Sequence, residues 1–186
     1  MGDMKRALIV IDVQESFRAL PSWERIGNPK IAEQVNRLVR LARAGGDLVV
    51  WVLHTAPGSD TPFDPDSGHV RFLAELDEPA PDEPVLRKTV HNAFTTTNLQ
   101  HLLTRAGVGE VWVCGIRTEQ CVETTTRLAS DLGYAAVLVT DATTTNPLGG
   151  LTVQEIIERT EVALRDRFAR IATVAELVAE QGSSTG

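Results

Sequence analysis

A chain of 186 residues, 42% hydrophobic and 23% charged, has the size and composition to bury a sizeable core as a soluble globular unit. Its formal net charge of -7 speaks against a nucleic-acid partner, because phosphate binding needs a basic surface. Two cysteines make no disulfide framework, and there is no signal peptide and no apolar run near the roughly 18 residues of a membrane helix, so a cytoplasmic protein with reduced thiols is expected.

The elements alternate. ALIVID, 7 to 12, is a continuous apolar run ending in a carboxylate, the pattern of a strand buried on both faces. A helix follows, with Asn28 as cap, Pro29 in its first turn, an apolar face of Ile31, Val35, Leu38, Val39 and Ala42, and Gly45 and Gly46 as its stop. DLVVWVLH, 47 to 54, is a second buried strand. Residues 55 to 84 hold six prolines and several acids; so long a connection predicts a functional loop or lid. VLRK, 85 to 88, is a short third strand, and Thr96 or Thr97 caps a helix over 98 to 106. EVWVCG, 110 to 115, is a fourth strand, followed by a helix from about 121 to 132 that Gly133 ends. AAVLVTDA gives a fifth strand, 152 to 167 a helix, ARIAT a sixth strand, and Val174, Leu177 and Val178 a last helix. Residues 1–180 read as one domain and QGSSTG, 181–186, as a frayed tail.

Strands alternating with helices predict a parallel α/β sheet, whose ligands bind outside the carboxyl ends of the strands. Asp12, His54, Lys88 and the segment 115 to 121 all fall at such ends. Asp12 alone is as readily a turn residue as a general base. Lys88 alone is most simply a solvated cation; beside Asp12 it would hold the carboxylate, lower a thiol's pKa and stabilise developing charge. Cys114, inside an apolar strand, reads as a small buried hydrophobe. Cys121 opens a helix, where the dipole and unpaired N–H groups favour a thiolate and offer an oxyanion hole. The four histidines lack a tight metal-ligand spacing, and no nucleophile elbow, phosphate loop or dinucleotide fingerprint occurs.

Three stretches, ALIVIDVQESF, LRKTVHNAFTTTNL and VCGIRTEQCVETTTRLASDLGYAAVLVTDAT, together resemble the isochorismatase-like cysteine hydrolases over about residues 5 to 180. The resemblance implies a three-layer α/β/α fold with a six-stranded sheet in the order 3-2-1-4-5-6. It also implies an Asp12–Lys88–Cys121 triad, a cis peptide at Ile116–Arg117, and an oxyanion hole from the backbone N–H groups of Arg117 and Cys121. It implies hydrolysis of a C–N bond through a thioester, no cofactor, and a homodimer or larger assembly. Metal-binding nicotinamidases carry Asp-x-His after the second strand; here Val52 stands where that Asp would fall, so no metal is expected. The long loop and GIRTEQC are similar to streptothricin hydrolases and other bacterial cysteine hydrolases, which makes a cationic lactam the candidate substrate. The alternatives are an amidohydrolase of the nicotinamidase or carbamoyl-amide type and a non-catalytic binding protein on the same fold. Asp60, Asp64, Asp66, Glu119 and Glu123 would suit a cation, and Phe17, Trp23, His54, Phe63, His91 and Glu119 are the candidate substrate pocket.

Overall fold

The structure is a computed structural model that describes residues 4–183. Six strands, β1 Lys5–Ile11, β2 Leu48–His54, β3 Val85–Lys88, β4 Val108–Ile116, β5 Ala135–Thr144 and β6 Arg170–Ala172, form one sheet in the order β3-β2-β1-β4-β5-β6. Every neighbouring pair is parallel. Both faces are covered, which is why β1 and β2 read as unbroken apolar runs. Along β1, Leu8 and Val10 enter one core with α2 (Ile31–Ala44) and α6 (Val174–Ser183). Ala7, Ile9 and Ile11 enter the other, with α3 (Leu99–Ala106), α4 (Glu123–Asp131) and α5 (Val153–Leu164). Successive residues of one strand thus feed opposite layers, and the strand order reverses between β1 and β4.

Several boundaries differ from expectation. Asn28 does not cap α2: its backbone N–H donates to Thr144 Oγ1 (2.9 Å) and its side chain accepts from Lys30 N, so the helix begins at Ile31, after Pro29. α3 is preceded by Asn98, and Thr97 supplies the side-chain acceptor for Leu99 N (3.1 Å). α5 opens on a reciprocal Thr152–Glu155 capping box and stops at Leu164. Two short pieces carry no clear sequence period, α1 (Glu15–Arg18) and a 3-10 turn (Pro21–Arg25). α6 runs through Gln181, Gly182 and Ser183, so half of the expected tail is helical; 184–186 lie outside the described residues.

The 55–84 segment is not uniformly loose. Leu73 and Leu76 are buried in the α2 core, Arg18 pairs with Glu75, Arg40 with Asp77 and Arg43 with Glu83, and Asn36 bonds Glu75 O and Asp77 N. Its second half is a strap fastened across α2.

Candidate active site

Asp12, the residue after β1, has φ of 53° and donates its N–H to Val52 O (2.9 Å). Asp tolerates this left-handed conformation better than most residues. Lys88 ends β3, two strands away from β1, or roughly 10 Å at ordinary strand spacing. Its long stem spans the end of β2, and Nζ lies 2.8 Å from Asp12 Oδ2 and 3.3 Å from Cys121 Sγ. Asp12 and Lys88 are 0% exposed and Cys121 6%. Nζ also donates to Val90 O (3.1 Å) and meets His54 Nδ1 at 3.2 Å.

Cys121 does not open an α-helix as its sequence context predicts. After a cis Ile116–Arg117 peptide it sits in a π-helical turn, Thr118–Val122, and α4 begins at Glu123. The turn is tied to β5 by Thr118 Oγ1 and Thr143 Oγ1, 2.9 Å apart. Just before it, Gly115 pairs with Ile11 at a φ of 126°. A Cβ there would overlap the Ile11 carbonyl oxygen, so only glycine lets β4 approach β1 this closely beside Asp12.

The electrostatics correct one expectation. Burial, first, and the Asp12 charge, second, push the Cys121 thiol up to about 12; the Lys88 ammonium opposes them without prevailing. Burial also raises the Asp12 carboxyl, against the pull of Lys88. Cys114 is fully buried and pushed higher by desolvation alone, as befits a core residue. Burial and the neighbouring ammonium lower His54 to about 4, so its ring is neutral.

Of the expected pocket residues, the structure joins three. Phe17 meets Phe63 edge to face at 4.9 Å, and Phe63 meets His54 at 5.5 Å. Arg117 lies over Phe17 (5.5 Å) and bonds Ser22 Oγ (3.2 Å). Trp23 instead stacks with Arg18. His91 is exposed but near enough to act on Asp12 and His54. Both carboxylate oxygens of Glu119, two residues before Cys121, are buried without a hydrogen-bond partner among the described residues. Glu123 is not a ligand for an outside cation. It is buried and already held by Arg127 (2.8 Å), Arg159 (2.5 Å) and Thr160. Asp64 spends its oxygens on Ser59 N and Asp66 N of its own loop. Among the described residues no group of three His, Cys, Asp or Glu side chains could hold a metal ion, and no helix is long and apolar enough to cross a membrane.

Sequence reasoning missed Gly115, Gln14 and the Val90 carbonyl. Gln14 is fully buried and clamps the end of β2, accepting from His54 N (2.7 Å) and donating to His54 O (3.0 Å). A glutamine directly behind a buried strand, and a glycine inside one, were the available signals.

A parallel sheet with a buried Asp, Lys and Cys meeting beyond its carboxyl edge, where the strand order reverses, defines an α/β protein with its candidate site at the switch point. The chain belongs to the isochorismatase family: the Isochorismatase domain matches residues 6–176. It is 31% identical to the isochorismatase family protein YrdC of Bacillus subtilis, over 94% of this chain and 95% of that one. It is 40% identical to streptothricin hydrolase of Streptomyces noursei over 74% of this chain, a stretch that makes up 49% of that protein. A crystal structure of an isochorismatase-family protein from Chromobacterium violaceum superposes with a TM-score of 0.88 at 28% identity, covering 98% of this chain and 96% of that one. The family is hydrolytic, and its relatives include proteins named streptothricin hydrolase and ureidoacrylate amidohydrolase.

Proposed function

We propose that this protein is a cysteine hydrolase that cleaves a C–N bond of a small amide or lactam through a thioester. The observation that carries the reading is the buried Lys88 ammonium within 2.8 Å of the Asp12 carboxylate and 3.3 Å of the Cys121 sulfur. Burial raises the carboxyl and the thiol together, so the site is expected to work with a proton shared between them. Asp12 then takes the thiol proton while sulfur attacks the carbonyl carbon. Lys88 compensates the negative charge that this creates, and the backbone N–H groups of Arg117 and Cys121 receive the tetrahedral oxyanion. Collapse breaks the C–N bond, with the Asp12 proton passing to the leaving nitrogen. Asp12 next draws a proton from water, which adds to the thioester; breakdown releases the acid and returns the thiol.

A cationic lactam is the favoured substrate. The likeness to streptothricin hydrolase and the unpartnered buried carboxylate of Glu119 both support a substrate that brings a donor or positive charge. The test is a panel of cationic and neutral lactams and primary amides, with intact-mass detection of an acyl group on Cys121. Turnover of the cationic lactams that is lost in Cys121→Ala, with an acyl adduct in the wild type, bears out the reading. Turnover that survives Cys121→Ala would overturn it, and equal rates for neutral analogues would overturn the cationic assignment.

A further inference from the structure

The Lys88 ammonium has three N–H donors and no lone pair. Three neighbours meet them in hydrogen-bond geometry: His54 Nδ1 at 3.2 Å, Val90 O at 3.1 Å and Cys121 Sγ at 3.3 Å. Asp12 Oδ2 is nearer, at 2.8 Å, as an ion-pair neighbour without hydrogen-bond geometry. Left to itself an ammonium would turn an N–H onto the closer, charged acceptor. We propose that His54 is a positioning residue for the thiol: with the Val90 carbonyl it takes two ammonium protons of Lys88 and so aims the third at Cys121 Sγ rather than at Asp12.

The surroundings are built for such a tripod. His54 ends β2 in register with Lys88 on β3, and Gln14 grips both sides of its backbone. Phe63 packs edge-on against its ring. The Val90 loop is fastened to α4 by Ala93 N donating to Thr125 Oγ1 (3.1 Å). An ammonium can only donate, so Nδ1 is the acceptor and the ring proton sits on Nε2. The ionisable groups that face this cluster are Asp12 after β1, Lys88 at the end of β3, His91 in the following loop and the Cys121 thiol. When the thiol proton moves to Asp12, the carboxylate loses its charge and the N–H already pointing at sulfur meets the new thiolate without reorientation.

This inference rests on the cysteine-hydrolase reading, but its test needs no substrate. Iodoacetamide labelling of Cys121 and Cys114 is followed residue by residue by mass spectrometry, at one pH and then across pH, with urea unfolding as the check of folding. His54→Leu removes the acceptor. The expected result is labelling of Cys121 slowed about tenfold and a pH profile displaced upward, as for loss of one charge-assisted hydrogen bond. His54→Asn, whose amide oxygen stands near the place of Nδ1, is expected to recover to within about threefold of the wild type. Should His54→Leu lose its folded transition, His54→Phe, a ring without an acceptor, takes its place. An unchanged Cys121 rate without the acceptor overturns the proposal, and so does a folded His54→Asn protein as slow as His54→Leu, since ring packing alone would then be responsible. If Cys121 in the wild type labels no faster than Cys114, the cysteine-hydrolase reading falls instead.

Discussion

Gly115→Ala tests the close approach of β1 and β4 on which the site depends. The new methyl would overlap Ile11 O and stand 2.7 Å from Ile11 C and 2.9 Å from Ile11 N, all of it backbone. Ordinary van der Waals contact begins at 3.4 Å, so for the carbonyl carbon alone the strands must part by about 0.7 Å, and by more for the oxygen. The φ of 126° adds strain of about 1–3 kcal/mol for any residue with a Cβ. Loosened ladder hydrogen bonds at the Ile11–Gly115 pair add about 1 kcal/mol each. The expected loss is about 3–5 kcal/mol, a fall in Tm of about 10 °C for a chain of this length. Asp12 follows Ile11 directly and Cys121 lies six residues beyond Gly115, so the same movement pulls base and thiol apart. A misplacement approaching 1 Å can cost about 100-fold in rate. Urea unfolding and turnover, measured on one preparation, read both effects. Stability within about 1 kcal/mol of the wild type together with unimpaired turnover would refute the account of Gly115.

Asp12→Asn keeps the side-chain shape and a residue tolerant of positive φ, so a folded protein with turnover reduced about 10²–10⁴-fold is expected; full turnover would remove Asp12 from the chemistry. Glu123→Gln loosens the join between α4 and α5. Because Arg127 and Arg159 are one-third and more than half exposed, the expected cost is only about 1–2 kcal/mol, and an unchanged urea midpoint would show the network idle. His54 is held near 4 against an ordinary 6.5, so between those values the unfolded chain binds a proton that the native one refuses. Its contribution is complete above pH 6.5 and is lost as pH falls through 4; urea midpoints measured on either side of that window should differ less in His54→Asn than in the wild type, and an equal difference in the two proteins would refute the assignment.

How much was legible in the chain depends on whether the signal was local. The six strands and the five main helices were visible because burial on both faces writes unbroken apolar runs for strands and a 3.6-residue period for helices, as in 7 to 12 and 31 to 42. Asp12, Lys88 and Cys121 could be singled out because each stands beyond the carboxyl end of a strand, and the three motifs placed them in a family. The four-residue α1 and the turn at Pro21–Arg25 are too short to carry a period, and the start of α2 shifted because Thr144, 116 residues away, engages the Asn28 backbone.

What the sequence could not supply was the balance of forces at the sulfur. A cysteine near a helix start suggested a lowered pKa; the folded chain buries it beside a carboxylate, and both effects act the other way. The partners of Lys88 come from three separate segments, and Glu123 proved to be a brace because Arg159, on another helix, reaches it. Local pattern therefore determined which groups stand at the rim of the sheet. Only the tertiary structure decided their charge, their hydrogen bonds and which of them touch, because burial and through-space neighbours arise from packing between segments that the order of residues does not place side by side.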